Sequence, residues 1–120
     1  MIERMKLHQW SEIPKEQMNP QFARQVIHSD SMTVARVYLA TGCIVAEHSH
    51  PNEQLSIIES GKLVFRFGDV ERIVGAGEVL QIPANLPHSA EALEDTEGID
   101  LFTPCRQDWL SGNDAYLRSK

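Results

Sequence analysis

Residues 42–61 read GCIVAEHSHPNEQLSIIESG, and residues 77–88 read GEVLQIPANLPH. His48 and His50 are two residues apart, so on a β-strand both imidazoles project from the same face. His88 has to come from another strand of the sheet. The three rings can converge only where the sheet curls around them, so this pattern indicates a β-barrel with histidines inside it.

The middle of the chain is a succession of short strand patterns separated by glycine, proline and asparagine. Leu63, Phe65 and Phe67 alternate with Val64 and Arg66, which is the period-two mark of a strand with one buried face and would place Val64 and Arg66 on the other face. Gly68-Asp69 fits a two-residue hairpin turn into the next strand. The predicted strands are Met32–Ala40, Cys43–His48, Gln54–Glu59, Leu63–Phe67, Val70–Val74, Glu78–Ile82 and Ile99–Thr103. This spacing predicts an all-β sandwich or barrel.

The two ends of the chain have a different character. Ser11–Gln17 contains a possible helical turn, which Pro14 keeps short. Arg106–Leu117 can hold one or two short helices, because Gly112-Asn113 would interrupt a single long one. We therefore predict one domain over residues 1–120, with a barrel core at about 30–104 and short helical segments at its ends.

Composition excludes several classes of function. The net charge of −6 over 120 residues makes nucleic acid and anionic membranes unexpected partners. No stretch approaches the roughly 18 apolar residues of a membrane span, and the first ten residues lack the apolar core of a secretory signal. We expect a cytoplasmic protein in which Cys43 and Cys105, far apart in sequence, are reduced structural thiols.

The histidine pattern predicts a site for one divalent metal ion. Gln54 has the same parity as the two neighbouring histidines, whereas the adjacent Glu53 has the opposite parity. A glutamine carbonyl can bind a hard or borderline cation. His8 and His28 have no such context, and we interpret them as surface or packing residues.

A site of this composition has a chemical preference. Three neutral imidazoles and a neutral amide leave the full double charge of the ion uncompensated. Such a site favours an anionic ligand, in particular a carboxylate or a developing enolate. Imidazole ligands suit nickel, zinc, iron or copper, and a glutamine oxygen tolerates manganese, so the sequence leaves the metal open.

The two stretches resemble the motifs of the cupin superfamily, G-x5-H-x-H-x3,4-E-x6-G and G-x5-P-x-G-x2-H-x3-N. The chain departs at Gln54, Asn85 and Ala92, where Glu, Gly and Asn are usual. The resemblance implies a small jelly-roll type cupin barrel that holds a divalent metal on His48, His50, Gln54 and His88. The fixed positions that match are Gly42, His48, His50, Gly61, Gly77, Pro83 and His88.

A narrower resemblance is to the KdgF-type pectin-degradation cupins, over residues 20–118. It is based on the segments at 48–54, 82–95 and 100–110 and on the final DAYLR at 114–118. In that family Gln is the usual residue at the position of Gln54. The resemblance implies conversion of 4,5-unsaturated monouronates, left by pectin or alginate lyases, to linear ketonised uronates. The family's further functional residues fall on Asp100, Phe102 and Arg106.

These three residue types agree with such chemistry. Asp100 and Phe102 share strand parity and would face the same side. Burial would raise the pKa of Asp100 and suit proton transfer, while a nearby cation would lower that pKa, and the sequence leaves the balance open. Arg106 can pair bidentately with a carboxylate, so a small anionic sugar acid is the expected partner. An ordinary salt bridge and a core aromatic are the alternatives.

Two other functions stay open at this point. One is a cupin dioxygenase acting on a small molecule. The other is a non-catalytic, metal-dependent sugar-binding or sensing module, and the chain contains no evident helix-turn-helix. The family resemblance also implies a homodimer, for which the segment Phe22–Ile27 is a candidate paired edge.

Overall fold

The computed structural model describes residues 4–118, so residues 1–3 and 119–120 of the predicted domain lie outside it. A 3₁₀ turn (Trp10–Glu12) precedes the strands, and the helices α1 (Gln107–Leu110) and α2 (Ala115–Arg118) follow them. The strands between them are β1 (Glu16–Asn19), β2 (Phe22–His28), β3 (Thr33–Leu39), β4 (Ile44–His48), β5 (Glu53–Ser60), β6 (Lys62–Phe67), β7 (Val70–Gly75), β8 (Val79–Ile82), β9 (His88–Ala92) and β10 (Thr96–Thr103).

The strands form two antiparallel sheets that face each other. The larger sheet has the order β1-β2-β3-β10-β5-β8, and the smaller has the order β4-β9-β6-β7. From β3 onward the chain crosses to the other sheet after every strand except β6, which pairs with β7 in the smaller sheet, and the hydrophobic core lies between the two sheets. The predicted all-β fold is confirmed, and the predicted barrel takes the form of these two sheets.

Alternation of side chains explains which face of each strand points inward. In β3, Ala35, Val37 and Leu39 are buried while the residues between them are partly exposed. In β5, Gln54, Ser56 and Ile58 are buried in the same way, so this strand delivers polar side chains to the interior. That polar row is the part of the core that becomes a site.

One prediction of burial is wrong. Val64 was expected on the solvent side of β6, but only 3% of its surface is exposed. It lies directly between Ile73 of β7 and Glu91 of β9. Arg66 bridges both neighbouring strands through carboxylates, with Nη1 2.9 Å from Glu91. The centre of a sheet is shielded by its neighbours even on its outer face.

The prediction that Phe22–Ile27 forms an outer edge is also wrong. This segment belongs to β2, which lies between β1 and β3. The short strand β1 covers its first half, with Glu16 opposite Arg24. The alternation of buried and exposed residues did not predict this position in the sheet, because four successive residues at the start of β2 are buried. A homodimer stays a prediction.

The C-terminal segment is anchored to β2 by a buried ion pair. Arg24 Nη2 donates to Asp114 at 2.6 Å, and both side chains are almost fully enclosed. The guanidinium of Arg24 also lies 4.4 Å from the ring centre of Trp109 in α1. The predicted pair of short helices, interrupted near Gly112, is therefore confirmed and is fastened over one end of the barrel.

Three smaller observations complete the fold. Cys43 and Cys105 are both buried free thiols, as expected of structural cysteines. Asn85, which stands where the cupin motif has Gly, adopts a φ of +66°, a left-handed conformation that asparagine tolerates better than most residues. Within residues 4–118, no helix has the length and apolar character needed to cross a membrane.

Candidate metal centre

Three histidines meet at one end of the barrel interior. His48 ends β4 and lies directly opposite His88, which begins β9. His50 follows in the loop between β4 and β5. One ring nitrogen from each lies within 4.8 Å of the other two, and His50 and His88 are almost fully buried. The fold thus brings together the three histidines that the sequence singled out.

Backbone carbonyls determine which nitrogen of each ring faces the centre. Nδ1 of His48 lies 2.8 Å from the carbonyl of Ala46, and Nδ1 of His88 lies 2.8 Å from that of Leu86. Nδ1 of His50 lies 3.1 Å from the carbonyl of Asn52. A carbonyl can only accept, so each Nδ1 carries the proton and each Nε2 is left with a lone pair. This is the usual arrangement behind metal-binding imidazoles.

The rings are neutral at physiological pH. Burial lowers the pKa of His48 to about 4, and burial together with the charge of Arg106 lowers that of His50 to about 4. The pKa of His88 is lowered as well, mainly by burial. Neutral imidazole is the form that binds a metal, so no proton has to be displaced from Nε2 at pH 7.

Gln54 adds a fourth donor atom beside the histidines. Its Oε1 lies 3.1 Å from Nε2 of His50, and both of these atoms carry lone pairs. Two lone pairs this close repel each other unless a cation lies between them, so a divalent ion held by both atoms would satisfy this contact. Glu53 is exposed on the other face of β5 and accepts a hydrogen bond from Gln81.

A buried atom without a partner supports the same fit. Nε2 of His88 is enclosed, yet it has no hydrogen-bond partner among the described residues. Buried polar groups are rarely left in this state, and a metal ion is one of the few groups that satisfies an aromatic nitrogen lone pair. The three histidines and Gln54 therefore fit a divalent metal ion.

Asp100 lies across the cavity from the histidines, on the larger sheet. It is directly opposite Ser56 on the neighbouring strand, and Ser56 Oγ donates to Asp100 Oδ1 at 2.8 Å. Burial raises the pKa of Asp100 to about 6, while the hydrogen bond from Ser56 and the charge of Arg106 act in the opposite direction. A carboxyl group with this pKa can exchange a proton near neutral pH.

Arg106 is buried, with only 1% of its surface exposed, and its charge is already paired. Its Nε and Nη2 both donate to Asp108, at 3.0 and 2.7 Å, and Nη2 also contacts the hydroxyl of Tyr116. The guanidinium lies 4.7 Å from the ring centre of Phe102 and 4.4 Å from that of Trp109. The bidentate face that we expected to meet a ligand carboxylate is thus occupied by Asp108.

Phe102 joins the two parts of the site. It is 2% exposed and lies directly opposite Gln54 across the β5–β10 pair. Its ring meets His50 edge-on at 5.6 Å and Trp109 at 5.2 Å between ring centres. Phe102 therefore forms the apolar floor between the histidines and the arginine.

Sequence reasoning missed several residues at the site. Tyr116 lies over His48, with 4.7 Å between ring centres, and lines the cavity together with Trp109. Ser56 links Gln54 to Asp100, and Asp108 pairs with Arg106. The spacing of the motif residues does not predict these contacts. Asp114-x-Tyr116 follows a short helix, and Ser56 lies two residues beyond a candidate ligand. Neither pattern indicates a site residue until the strands are paired.

Most of these side chains border one cavity of about 60 Å³, and His50, Ser56 and Asp108 lie behind its lining. That volume holds a few water molecules. The lining combines the rings of His48 and His88, a carboxylate, a guanidinium and an apolar wall of aliphatic and aromatic residues, which is typical of a small-molecule site.

Comparisons with known proteins agree with this architecture. KdgF from Halomonas sp. has 24% sequence identity and a TM-score of 0.79, with 87% of this chain and 99% of that chain covered. An RmlC-like cupin from Shewanella frigidimarina has 20% identity and a TM-score of 0.80, covering 88% and 96%. A variant of oxalate decarboxylase from Bacillus subtilis has 19% identity and a TM-score of 0.74, covering 81% of this chain and 29% of that one.

At these identities the likeness to solved structures shows the fold alone. Among curated proteins no match was found. The family model of the cupin domain, however, matches residues 35–102, which is more than half of the chain and includes every residue of the histidine cluster. The protein therefore belongs to the cupin family, and its three histidines form a site that can hold a metal ion.

Proposed function

We propose that this cupin is a metal-dependent enzyme that converts 4,5-unsaturated monouronates to linear ketonised uronates. The observation that carries the proposal is the convergence, in one cavity, of a neutral donor set with Asp100 and Arg106. A donor set without a carboxylate favours an anionic ligand, and a uronate supplies one. The similarity in fold to KdgF from Halomonas sp. supports the same assignment.

Arg106 is the residue that we assign to the carboxylate of the substrate. Since Asp108 occupies its Nε and Nη2, the substrate would take the remaining Nη1 or replace Asp108. Stacking on Phe102 and Trp109 holds the guanidinium plane in place, so the direction of its free hydrogens is set before a ligand arrives. The ion pair with Asp108 keeps the buried charge compensated while the cavity has no ligand.

Asp100 is the residue that we assign to proton transfer. With a pKa of about 6, it can give or take a proton during opening of the hemiacetal ring or protonation at C4 of the sugar. Ser56 stabilises its ionised form by a hydrogen bond. A bound divalent ion would supply a Lewis acid for the carboxylate and ring oxygens, and Phe102 would form the surface on which the sugar ring lies.

The size of the cavity has a consequence for binding. A monouronate is larger than the few water molecules that 60 Å³ can hold. Tyr116, which lies on His48 and contacts Arg106, is partly exposed and comes from the short helix α2. We propose that its side chain swings outward when substrate enters, which also uncovers Arg106.

The direct test follows the ultraviolet absorbance of the unsaturated uronate. Protein loaded with nickel, zinc, iron(II) or manganese is mixed with the product of a pectin lyase or an alginate lyase. Faster loss of absorbance than the spontaneous rate, with a linear ketonised product in the NMR spectrum, would support the proposal. Equal rates with every metal and both substrates would exclude it.

Two further measurements, of oxygen uptake and of the recovered ligand, separate the alternatives. A cupin dioxygenase would consume oxygen in the presence of iron(II), whereas uronate linearisation consumes none. A sugar-binding module would bind the uronate and release it unchanged. Oxygen uptake would therefore indicate the dioxygenase, and recovery of unchanged uronate would indicate the binding module, whereas the proposed enzyme gives a ketonised product without oxygen uptake.

A further inference from the structure

A chain of hydrogen bonds connects the candidate ligand Gln54 to Asp100 through Ser56. Ser56 is fully buried, and it lies two residues beyond Gln54 on the inward face of β5. Gln54 Nε2 donates to Ser56 Oγ at 2.9 Å, and Ser56 Oγ donates to Asp100 Oδ1 at 2.8 Å. The antiparallel pairing of β5 and β10 places Ser56 and Asp100 directly opposite each other, so the register builds this contact.

The chain has a direction, and Asp100 determines it. An ionised carboxylate can only accept a hydrogen bond, so the single proton of the Ser56 hydroxyl is committed to Asp100. The hydroxyl oxygen can then only accept from Gln54. A side-chain amide donates through nitrogen and accepts through oxygen, so Nε2 of Gln54 has to face Ser56. Its Oε1 is thereby turned toward His50.

A glutamate at position 54 would disrupt this sequence of hydrogen bonds. Two carboxylates would then compete for one hydroxyl proton, and one of them would lose its partner in a buried site. The glutamine at this position is therefore explained by Asp100, which acts on it through Ser56. Glutamine at position 54 thus has two separate advantages. It leaves the charge of the metal ion uncompensated, and its amide nitrogen can donate a hydrogen bond to Ser56.

We infer that Ser56 is a positioning residue, which holds the Gln54 amide with its oxygen toward the three histidines and its nitrogen toward Asp100. This inference rests on the metal site and not on the uronate reaction. Nothing in it requires a substrate, so failure of the proposed function would leave it untouched.

The test measures the affinity for Zn²⁺ alone, by competition with a chromophoric chelator, in four proteins. These are the parent, Ser56→Ala, Gln54→Glu and the double variant. Ser56→Ala frees the amide to rotate, and we expect its affinity to fall about tenfold, in the range found when a group that orients a metal ligand is removed. In the Gln54→Glu background the same change should alter affinity by less than about twofold, because the two oxygens of a carboxylate are equivalent.

The outcomes separate positioning from simple packing. If Ser56→Ala weakens Zn²⁺ binding equally in both backgrounds, or in neither, the inference is overturned. A parent protein that binds no Zn²⁺ overturns it as well, together with the metal site. Ser60→Ala, at the exposed end of the same strand, is the matched control and should leave the affinity unchanged.

Folding of the variants is checked by thermal unfolding. If Ser56→Ala does not fold, Ser56→Cys takes its place, because a thiol keeps the shape of the side chain but is a weak donor and acceptor. The expected pattern is the same with a smaller loss. Equal losses with glutamine and with glutamate at position 54 would contradict the inference here too.

Discussion

The two walls of the cavity hold their functional groups in different ways. On the smaller sheet and the loop after it, each histidine is oriented by a main-chain carbonyl next to it in sequence. On the larger sheet, Gln54 and Asp100 are oriented by another side chain, Ser56, which is placed by strand register. The first arrangement is local, whereas the second depends on the pairing of Ser56 and Asp100, which are 44 residues apart in sequence.

This difference predicts how each wall responds to substitution. A carbonyl survives any change of side chain, so the histidine wall fails only when a histidine itself is lost. On the opposite wall, replacement of Gln54, Ser56 or Asp100 can disturb the orientation of the other two side chains. The predictions below test the contrast, and the largest effect comes first.

Loss of a histidine should remove the metal site. We expect His88→Ala to reduce Zn²⁺ affinity by more than about a hundredfold and to abolish metal-dependent turnover, since one of four donors is missing. Affinity by chelator competition and metal content by elemental analysis provide the measurement. His28→Ala is the control, because His28 bonds to Thr33 outside the cluster. Full metal content in His88→Ala would show that the ion binds elsewhere.

Asp100→Asn should separate chemistry from metal binding. An amide cannot transfer the proton, so we expect kcat to fall by about 10²–10⁴-fold, the range typical of a lost general acid or base. Asparagine can accept the hydrogen bond from Ser56 but can also donate to it, so we expect Zn²⁺ affinity to fall far less than kcat, by no more than the about tenfold loss expected for Ser56→Ala. Steady-state rates and affinity are measured on the same preparation. Full activity in this variant would contradict the proton-transfer role.

Arg106→Lys should affect substrate binding more than turnover. Lysine keeps the charge but loses the planar group that stacks on Phe102 and Trp109. We expect KM to rise about tenfold or more, with a smaller change in kcat. Arg66→Lys, on the outer face of the smaller sheet, is the matched control. An unchanged KM would exclude Arg106 from carboxylate binding.

The smallest effect concerns the stability of the metal-free protein. The pKa of Asp100 is raised to about 6 in the folded state from an ordinary 3.8, so the folded state binds a proton more tightly than the unfolded state does. Asp100 therefore stabilises least above pH 6, and its contribution falls as pH rises from about 4 to 6. Lowered histidine pKa values act in the opposite sense over the same range.

The difference between parent and Asp100→Asn isolates this contribution. Relative to the parent, the variant should gain at most about 3 kcal/mol of unfolding free energy between pH 4 and pH 6, and no more above it. Urea unfolding at several pH values, with a chelator present, gives the comparison. A difference that does not depend on pH would show that the carboxyl group is not buried in the way described.

The alternating strands and the histidines could be predicted from sequence because each depends on local spacing. A period-two pattern marks β6, and the motif places His48, His50, Gln54 and His88. The start of β2 was harder, since the buried Arg24 breaks the expected pattern. Its burial is explained only by Asp114, ninety residues away.

The missed site residues have the same cause. Ser56 gains its role from being opposite Asp100, and Asp108 gains its role from the folding of Arg106 against two aromatic rings. Neither relation exists until strands and helices are paired in space. Composition and motif thus reveal the donors of a metal site, but not the side chains that orient them.

The position of Trp109 gives the molecule an optical reporter. Its indole lies between the guanidiniums of Arg24 and Arg106 and faces Phe102, whereas Trp10, the other tryptophan of the chain, lies in the 3₁₀ turn before the barrel. Replacement of Trp10 by phenylalanine would leave one fluorophore at the wall of the cavity. Paramagnetic ions such as Ni²⁺ or Cu²⁺ should then quench its emission on binding, and displacement of Tyr116 should shift its wavelength, so that occupancy can be followed in real time without a chromogenic substrate.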